Sequence, residues 1–186
     1  MNATQLIWGL TLAFVLYAGW QDWHTRRIPN WLTVPGLLLG IAVHAWISGW
    51  HGAVMSLEGA GLALVILLPL VLLRALGAGD WKLMGALGAF LGPIMFLFVL
   101  LTSAFIAGLM AIATLVWTRR VIATAKNLAV LVQGFFVFGI RPNPKISLDT
   151  PGLLKLPFGV AAAIGTVACF VAAHFVAAHG AFWRLH

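Results

Sequence analysis

The chain has 186 residues, one domain's length, of which 62% are hydrophobic and only 8% charged, with a mean hydropathy of +1.04. A water-soluble domain of this size has no core large enough to hide so much apolar surface, so its solvent is a lipid bilayer. Its 11 basic residues outnumber four acids, but they lie between apolar runs rather than along one face, which excludes nucleic acid as the partner.

The N-terminal stretch "MNATQLIWGL" has no basic region ahead of its apolar run. It reads as the start of a first membrane helix over 6–21 rather than a cleaved signal peptide. A second apolar segment covers 31–47 and a third 57–73. Residues 83–117 would make a helix of about 50 Å, too long for one crossing of a ~30 Å hydrocarbon core and short for two. The dipeptide Gly92 and Pro93 offers one turn there and "LTSA" at 101–104 another, so the stretch reads as two crossings, at least one of them short. Residues 121–140 are interrupted by Lys126, Asn127 and Gln133 and read as an interfacial helix. A Pro-punctuated loop, "RPNPKISLDTPG", leads to a last helix over 153–178. The expected fold is an all-α integral membrane protein: a single domain over 1–186 with six transmembrane helices and an interfacial helix in the fifth loop.

Charge placement supports that division. Arg26 and Arg27 follow the first helix, Arg74 and Lys82 flank the link after the third, and Arg119, Arg120, Lys126, Arg141, Lys145 and Lys155 follow the fifth. Ten of the 11 basic residues thus fall in or beside odd-numbered loops. The positive-inside rule puts those loops in the cytoplasm and both termini outside. Arg184 is the exception. Small residues at four-residue spacing (Gly36 with Gly40, Gly88 with Gly92) read as close helix packing in lipid. Nine Trp residues, several near segment ends, read as interfacial anchors.

The acids are Asp22, Glu58, Asp80 and Asp149. Glu58 is expected to open the third helix at the outer face, and Asp149 to be a solvated turn residue. Asp22 closes the first helix and Asp80 opens the fourth, so both belong to the inner surface. Asp80 alone would serve as a helix cap. Asp22 is harder to explain, because a carboxylate at a helix C-terminus opposes the dipole; Arg26 one turn on could offset it. An acid at the membrane edge that faces into a bundle is by default a functional candidate. In "GAGD", Gly77 and Gly79 precede Asp80, where the backbone can take a positive φ or admit a second chain; a plain cap needs neither. Two carboxylates in reach of each other share one proton, and such a pair can hydrolyse a peptide without a metal or a covalent intermediate.

Metal chemistry is not expected. His24 stands two residues from Asp22, a spacing that splits helix faces. His44 and His51 lie near the opposite surface, and His174, His179 and His186 form no H-E-x-x-H pattern. The one cysteine, Cys169, lies in an apolar run, so neither a disulfide framework nor a Cys-rich zinc site is available within one chain.

Two blocks carry a family resemblance: "DWHTRRIPNWLT" at 22–33 and "GAGDWKLMGALGAFLG" at 77–92. In this order and topology they resemble the type IV prepilin peptidases, membrane aspartic proteases of the GxGD kind, over 5–118. "KLPFGVAAAIGT" at 155–166 resembles the start of the last helix in short members, such as those of tight-adherence (Flp) pilus systems. The resemblance implies Asp22 and Asp80 as the catalytic pair and Gly77 and Gly79 as the loop that sets Asp80; the two glycines are further expected to leave that segment mobile enough to accept an extended substrate strand. Lys82 and Arg26 stand beside them as substrate-binding candidates or as anchors at the inner face, and Pro29 and Asn30 end the loop, with Asn30 at the helix cap. It implies a prepilin or pseudopilin substrate cut after its leader's Gly at the cytoplasmic face of a bacterial inner membrane, and no cofactor. With a single cysteine and no paired Cys-x-x-Cys motifs, N-methylation of the product is not expected. The competing readings are a proton-coupled transporter and a non-catalytic pilus assembly subunit.

Overall fold

The computed structural model describes residues 3–73, 75–118 and 157–182, with side chains of the last segment through 176. Among these residues all regular structure is helical: α1 (Ala3–Thr25), α2 (Asn30–Leu72), α3 (Ala78–Trp117) and α4 (Phe158–Phe182). All four are long and apolar enough to cross a bilayer, which makes the chain a multi-pass membrane protein.

Two of the helices are too long to be single rods. With 43 and 40 residues, α2 and α3 would run about 65 and 60 Å, twice the hydrocarbon thickness. Each is broken. In α2 the break lies at Ser48 (φ −128°, ψ 15°) and Gly49 (φ 59°, ψ −141°). In α3 it lies at Gly92 (φ 71°, ψ 175°), a conformation essentially closed to residues with a Cβ. Pro93 then starts the resumed helix, where its missing N–H costs nothing. Of the two turns expected in this stretch, Gly92 is the one used, and 101–104 are helical. The third apolar segment resumes straight after Gly49, not at 57, so Glu58 lies within the helix, exposed on its surface, and does not open it.

The break in α2 reverses the chain. A Cβ on Gly40, before the break, would come 3.0 Å from the Ala89 and Phe90 backbone, and one on Gly59, after it, would strike the Gly88 carbonyl. In a straight helix those two glycines would be about 28 Å apart, so they reach the same turns of α3 only because α2 is a hairpin. Both halves clasp residues 78–91, a helix of about 21 Å. From Leu83 to Gly92 every residue of it is buried. This short rod is the bundle's centre, and it needs glycine and alanine because backbones cross it at contact distance.

Ending a helix inside protein leaves carbonyl groups without partners. Two side chains from the α2 hairpin supply donors. His44 Nε2 lies 2.8 Å from the Phe90 carbonyl oxygen and Ser56 Oγ donates to that of Ala89 at 2.7 Å, both buried. Replacing either by Ala strands a buried acceptor and is expected to cost about 1–3 kcal/mol, read as a lowered unfolding temperature of the detergent-solubilised protein.

α1 and α4 run antiparallel along the other flank. The Trp8 ring sits 5.4 Å from that of Phe170, Gly19 meets Ala163, and Asp22 meets Gly159. After its break α3 lies against α4 through Thr102 and Cys169, 3.4 Å apart. Exposed Trp20, Trp23 and Trp31 form one aromatic band and Trp46 and Trp50 another at the α2 turn, about 23 Å away along the helix. The expected interfacial helix at 121–140, the loop after it, Asp149, and the basic residues from Arg119 onward, with Arg74, fall outside the described residues.

Candidate active site

Asp22 lies near the end of α1 and is buried, with 5% of its surface exposed. Its carboxylate faces the first turn of α4: Oδ2 accepts the Gly159 N–H at 2.8 Å, and the Val160 N–H is directed at it too. As a first-turn group the Gly159 N–H has no acceptor inside its own helix, the Val160 N–H is shared with the Pro157 carbonyl oxygen at 3.2 Å, and the positive end of α4 points at the acid. The unfavourable position at the end of its own helix is therefore offset by the start of another. Gly159 is required for this approach, since a Cβ there would stand 2.9 Å from the Asp22 Cβ and 3.0 Å from Oδ2. Sequence reasoning did not single out Gly159; the available signal was the Pro-Phe-Gly triplet at 157–159.

The chain leaves α1 through Arg26, whose N–H bonds the Asp22 carbonyl at 2.9 Å and whose φ is 50°. A left-handed residue that is not glycine costs about 1–2 kcal/mol. What Arg26 adds is its charge, which acts favourably on Asp22.

Asp80 is held in a matching way. Gly77 is the N-cap of α3, with an ordinary φ of −68°, and Asp80 stands at the third helical position and receives the Gly77 N–H. This is one half of a reciprocal helix cap. A Cβ on Gly77 would lie 3.0 Å from the carboxylate oxygen Oδ2. Gly79 has its own reason: a Cβ there would come 3.2 Å from the Ile28 carbonyl oxygen, so the loop after α1 packs directly on the turn that carries Asp80. Both glycines thus serve close approach, not a positive φ.

Two further bonds fix the register. Lys82 Nζ donates to Asn30 Oδ1 at 2.9 Å and Trp81 Nε1 to the Leu64 carbonyl at 2.9 Å. Asn30 was expected at the cap of α2, but Pro29 occupies that position (φ −76°, ψ 148°). Asn30 is the first helical residue, which leaves its amide free to tie the "IPN" block to the "GAGDWK" block. This bond is exposed, so Asn30→Ala is expected to lower stability by no more than about 1 kcal/mol, measured by thermal unfolding.

The result is a meeting of helix ends. The last turn of α1 and the first turns of α3 and α4 converge, and they bring Asp22 and Asp80 close enough for their charges to repel. Each acid sits at the positive end of a helix. Arg26 stands by Asp22 and Gly77 by Asp80, Gly79 packs on Ile28 in the same turn, and Lys82 reaches to Asn30 instead of to either acid. Of the histidines, His24 is exposed against the Trp20 carbonyl and His174 against that of Phe170, while His44 serves the broken end of α3. Among the described residues no group of three or more His, Cys, Asp or Glu could hold a metal ion.

Compared with known proteins, the chain matches the type IV leader peptidase family over residues 9–112. That span holds both Asp22 and Asp80 and stops short of Gly159. No curated protein and no solved structure is matched.

Proposed function

Because the chain belongs to the type IV leader peptidase family, and so is a peptidase, we propose that it is an aspartic endopeptidase that removes the short leader of type IV or Flp prepilins, with Asp22 and Asp80 as its catalytic pair. The observation that carries this reading is the convergence of the two acids at one end of the bundle, each facing backbone N–H groups of a helix start. The breaks in α2 and α3 are read as turns between crossings, which with α1 and α4 makes six spans in one domain. The basic residues of the odd loops then put the pair at the cytoplasmic face of a bacterial inner membrane.

In the proposed reaction the ionised carboxylate of the pair takes a proton from water. The water oxygen bonds to the carbonyl carbon of the peptide bond after the leader's glycine, and the protonated carboxyl gives its proton to the carbonyl oxygen. The tetrahedral adduct collapses, the C–N bond breaks, and the amine leaves with a proton returned through the pair. The proton belongs to the pair and not to either residue. Arg26 and Lys82 stand beside this centre as candidates to meet the leader, and the turn at 77–79 as the place where an extended strand lies. A transporter reading needs ionisable groups in series across the bilayer; Glu58, the remaining acid among the described residues, is exposed on the bundle surface.

The test is a reconstituted one. The full chain in proteoliposomes is given a synthetic precursor made of a hydrophilic leader ending in Gly and an apolar helix of ~20 residues. Mass spectrometry is expected to find one new N-terminus directly after that Gly; an intact precursor would overturn the reading. Processing is expected to persist in a strong chelator, and a loss restored by zinc would point instead to metal-assisted hydrolysis.

A further inference from the structure

The proposed reaction concerns one peptide bond, but its substrate also has a membrane helix that must lie somewhere beside the pair. A groove of about 400 Å³ opens between α1 and α4. Leu16, Gly19, Trp20 and Trp23 line it from α1, and Ala163 and Ile164 from α4. Its floor is made of small residues: a Cβ on Gly19 would stand 2.9 Å from that of Ala163, so the two backbones nearly touch and leave a furrow above them. Its rims are bulky and open to lipid, with Leu16 52%, Trp20 55%, Trp23 63% and Ile164 48% exposed.

The groove starts beside the site. Gly19 and Trp23 flank Asp22 on α1, and Val160, also in the lining, follows the Gly159 whose N–H holds the Asp22 carboxylate. Leu16 lies about 9 Å along α1 from Asp22, toward the bilayer interior. A helix that delivers its end to Asp22 therefore has an apolar bed, nearly two turns long, leading away from the acid into the membrane. The volume is within the ~300–1,000 Å³ of compact binding pockets, and a furrow of this kind takes apolar side chains at i, i+3 and i+4.

We infer that the groove between α1 and α4 is the docking site for the substrate's own membrane helix, placed so that the bond to be cut emerges at Asp22. This rests on the proposed peptidase reading and adds to it the surface that selects a helix-bearing substrate over a free leader peptide.

The experiment has two arms, both with the full chain in proteoliposomes and the synthetic precursor described above. In the first, an Asp80→Asn chain carries photoreactive benzoylphenylalanine at position 16 or 164, with position 94 as control, since Ile94 is 69% exposed on α3 away from the groove. The first two positions are expected to form adducts with the precursor's apolar helix, and position 94 is not. Adducts with lipid or with the chain itself alone, or equal yield at 94, would overturn the inference. In the second arm Leu16→Trp and Ile164→Trp fill the furrow. Each is expected to raise KM for the precursor roughly tenfold, the loss of about one buried apolar side chain's contact, with kcat within about twofold. KM for a soluble peptide with the same leader and cleavage site but no apolar helix is expected to stay unchanged. An unchanged KM for the precursor, or an equal rise for both substrates, would remove the groove from substrate selection. Failure of the peptidase reading looks different: the unaltered chain would cut neither substrate.

Discussion

Asp22→Asn and Asp80→Asn are each expected to abolish precursor processing, by at least the ~10²–10⁴-fold that a positioned acid or base supplies, while the protein stays folded and at normal abundance in the membrane. The substitution keeps the shape of the side chain and removes only its ability to ionise. At position 22 the amide oxygen can still accept the Gly159 N–H, so the α1 and α4 contact has no reason to open. At position 80 the same holds for the N–H of Gly77. A pair that shares one proton fails when either member is removed, so both variants should be equally inactive and the double variant no worse than either single one. The readout is the ratio of full-length to processed precursor, beside immunoblotting and thermal unfolding of the peptidase itself. Retained processing by either variant would leave the other acid to explain catalysis alone.

Gly159→Ala is the second large effect, and it separates geometry from chemistry because no ionisable group changes. The new methyl group would meet the Asp22 Cβ at 2.9 Å, Oδ2 at 3.0 Å and Cγ at 3.2 Å. Either the start of α4 backs away or the carboxylate turns, and both lengthen the 2.8 Å bond from the Gly159 N–H. A displacement near 1 Å at reacting groups can cost about 10²-fold in rate, and that is the expected loss of processing. The cost in stability is that of local overpacking, about 1–3 kcal/mol. Gly61→Ala is the matched control, since a Cβ there meets nothing within 4 Å; it should leave the rate unchanged and, as alanine in a helix interior, hold or slightly raise the unfolding temperature. Near-normal activity of Gly159→Ala would mean that the carboxylate is not fixed by α4.

Much of this was legible in the sequence because lipid imposes strong rules. Apolar runs longer than a bilayer crossing had to break, and Gly92 followed by Pro93 is a break that sequence chemistry can name. Asp22 and Asp80 could be paired because so few acids exist to choose from. What could not be read depends on distant partners. His44, Gly52 and Ser56 surround a stretch that looks like a polar loop, yet all three are buried, and two of them serve carbonyl groups at the broken end of α3. That is why the third apolar segment starts earlier than its hydropathy indicates. Asn30 has the composition of a helix cap, but Pro29 takes the cap and Asn30 reaches Lys82 across 52 positions. Gly159 owes its role to an acid 137 positions away, which no local pattern encodes.

The claim beneath all of this is that Asp22 and Asp80 meet across the gap between α1 and α3, and thiol bridging in native membranes tests it most directly. The chain would carry Asp22→Cys and Asp80→Cys with the single native cysteine removed by Cys169→Ser, and be treated with a short bifunctional thiol reagent. A second chain with Thr102→Cys beside the native Cys169, whose side chains stand 3.4 Å apart, shows that the reagent reaches the bundle. The account predicts an intramolecular bridge in both chains. A bridge in the control with none between positions 22 and 80 would contradict it.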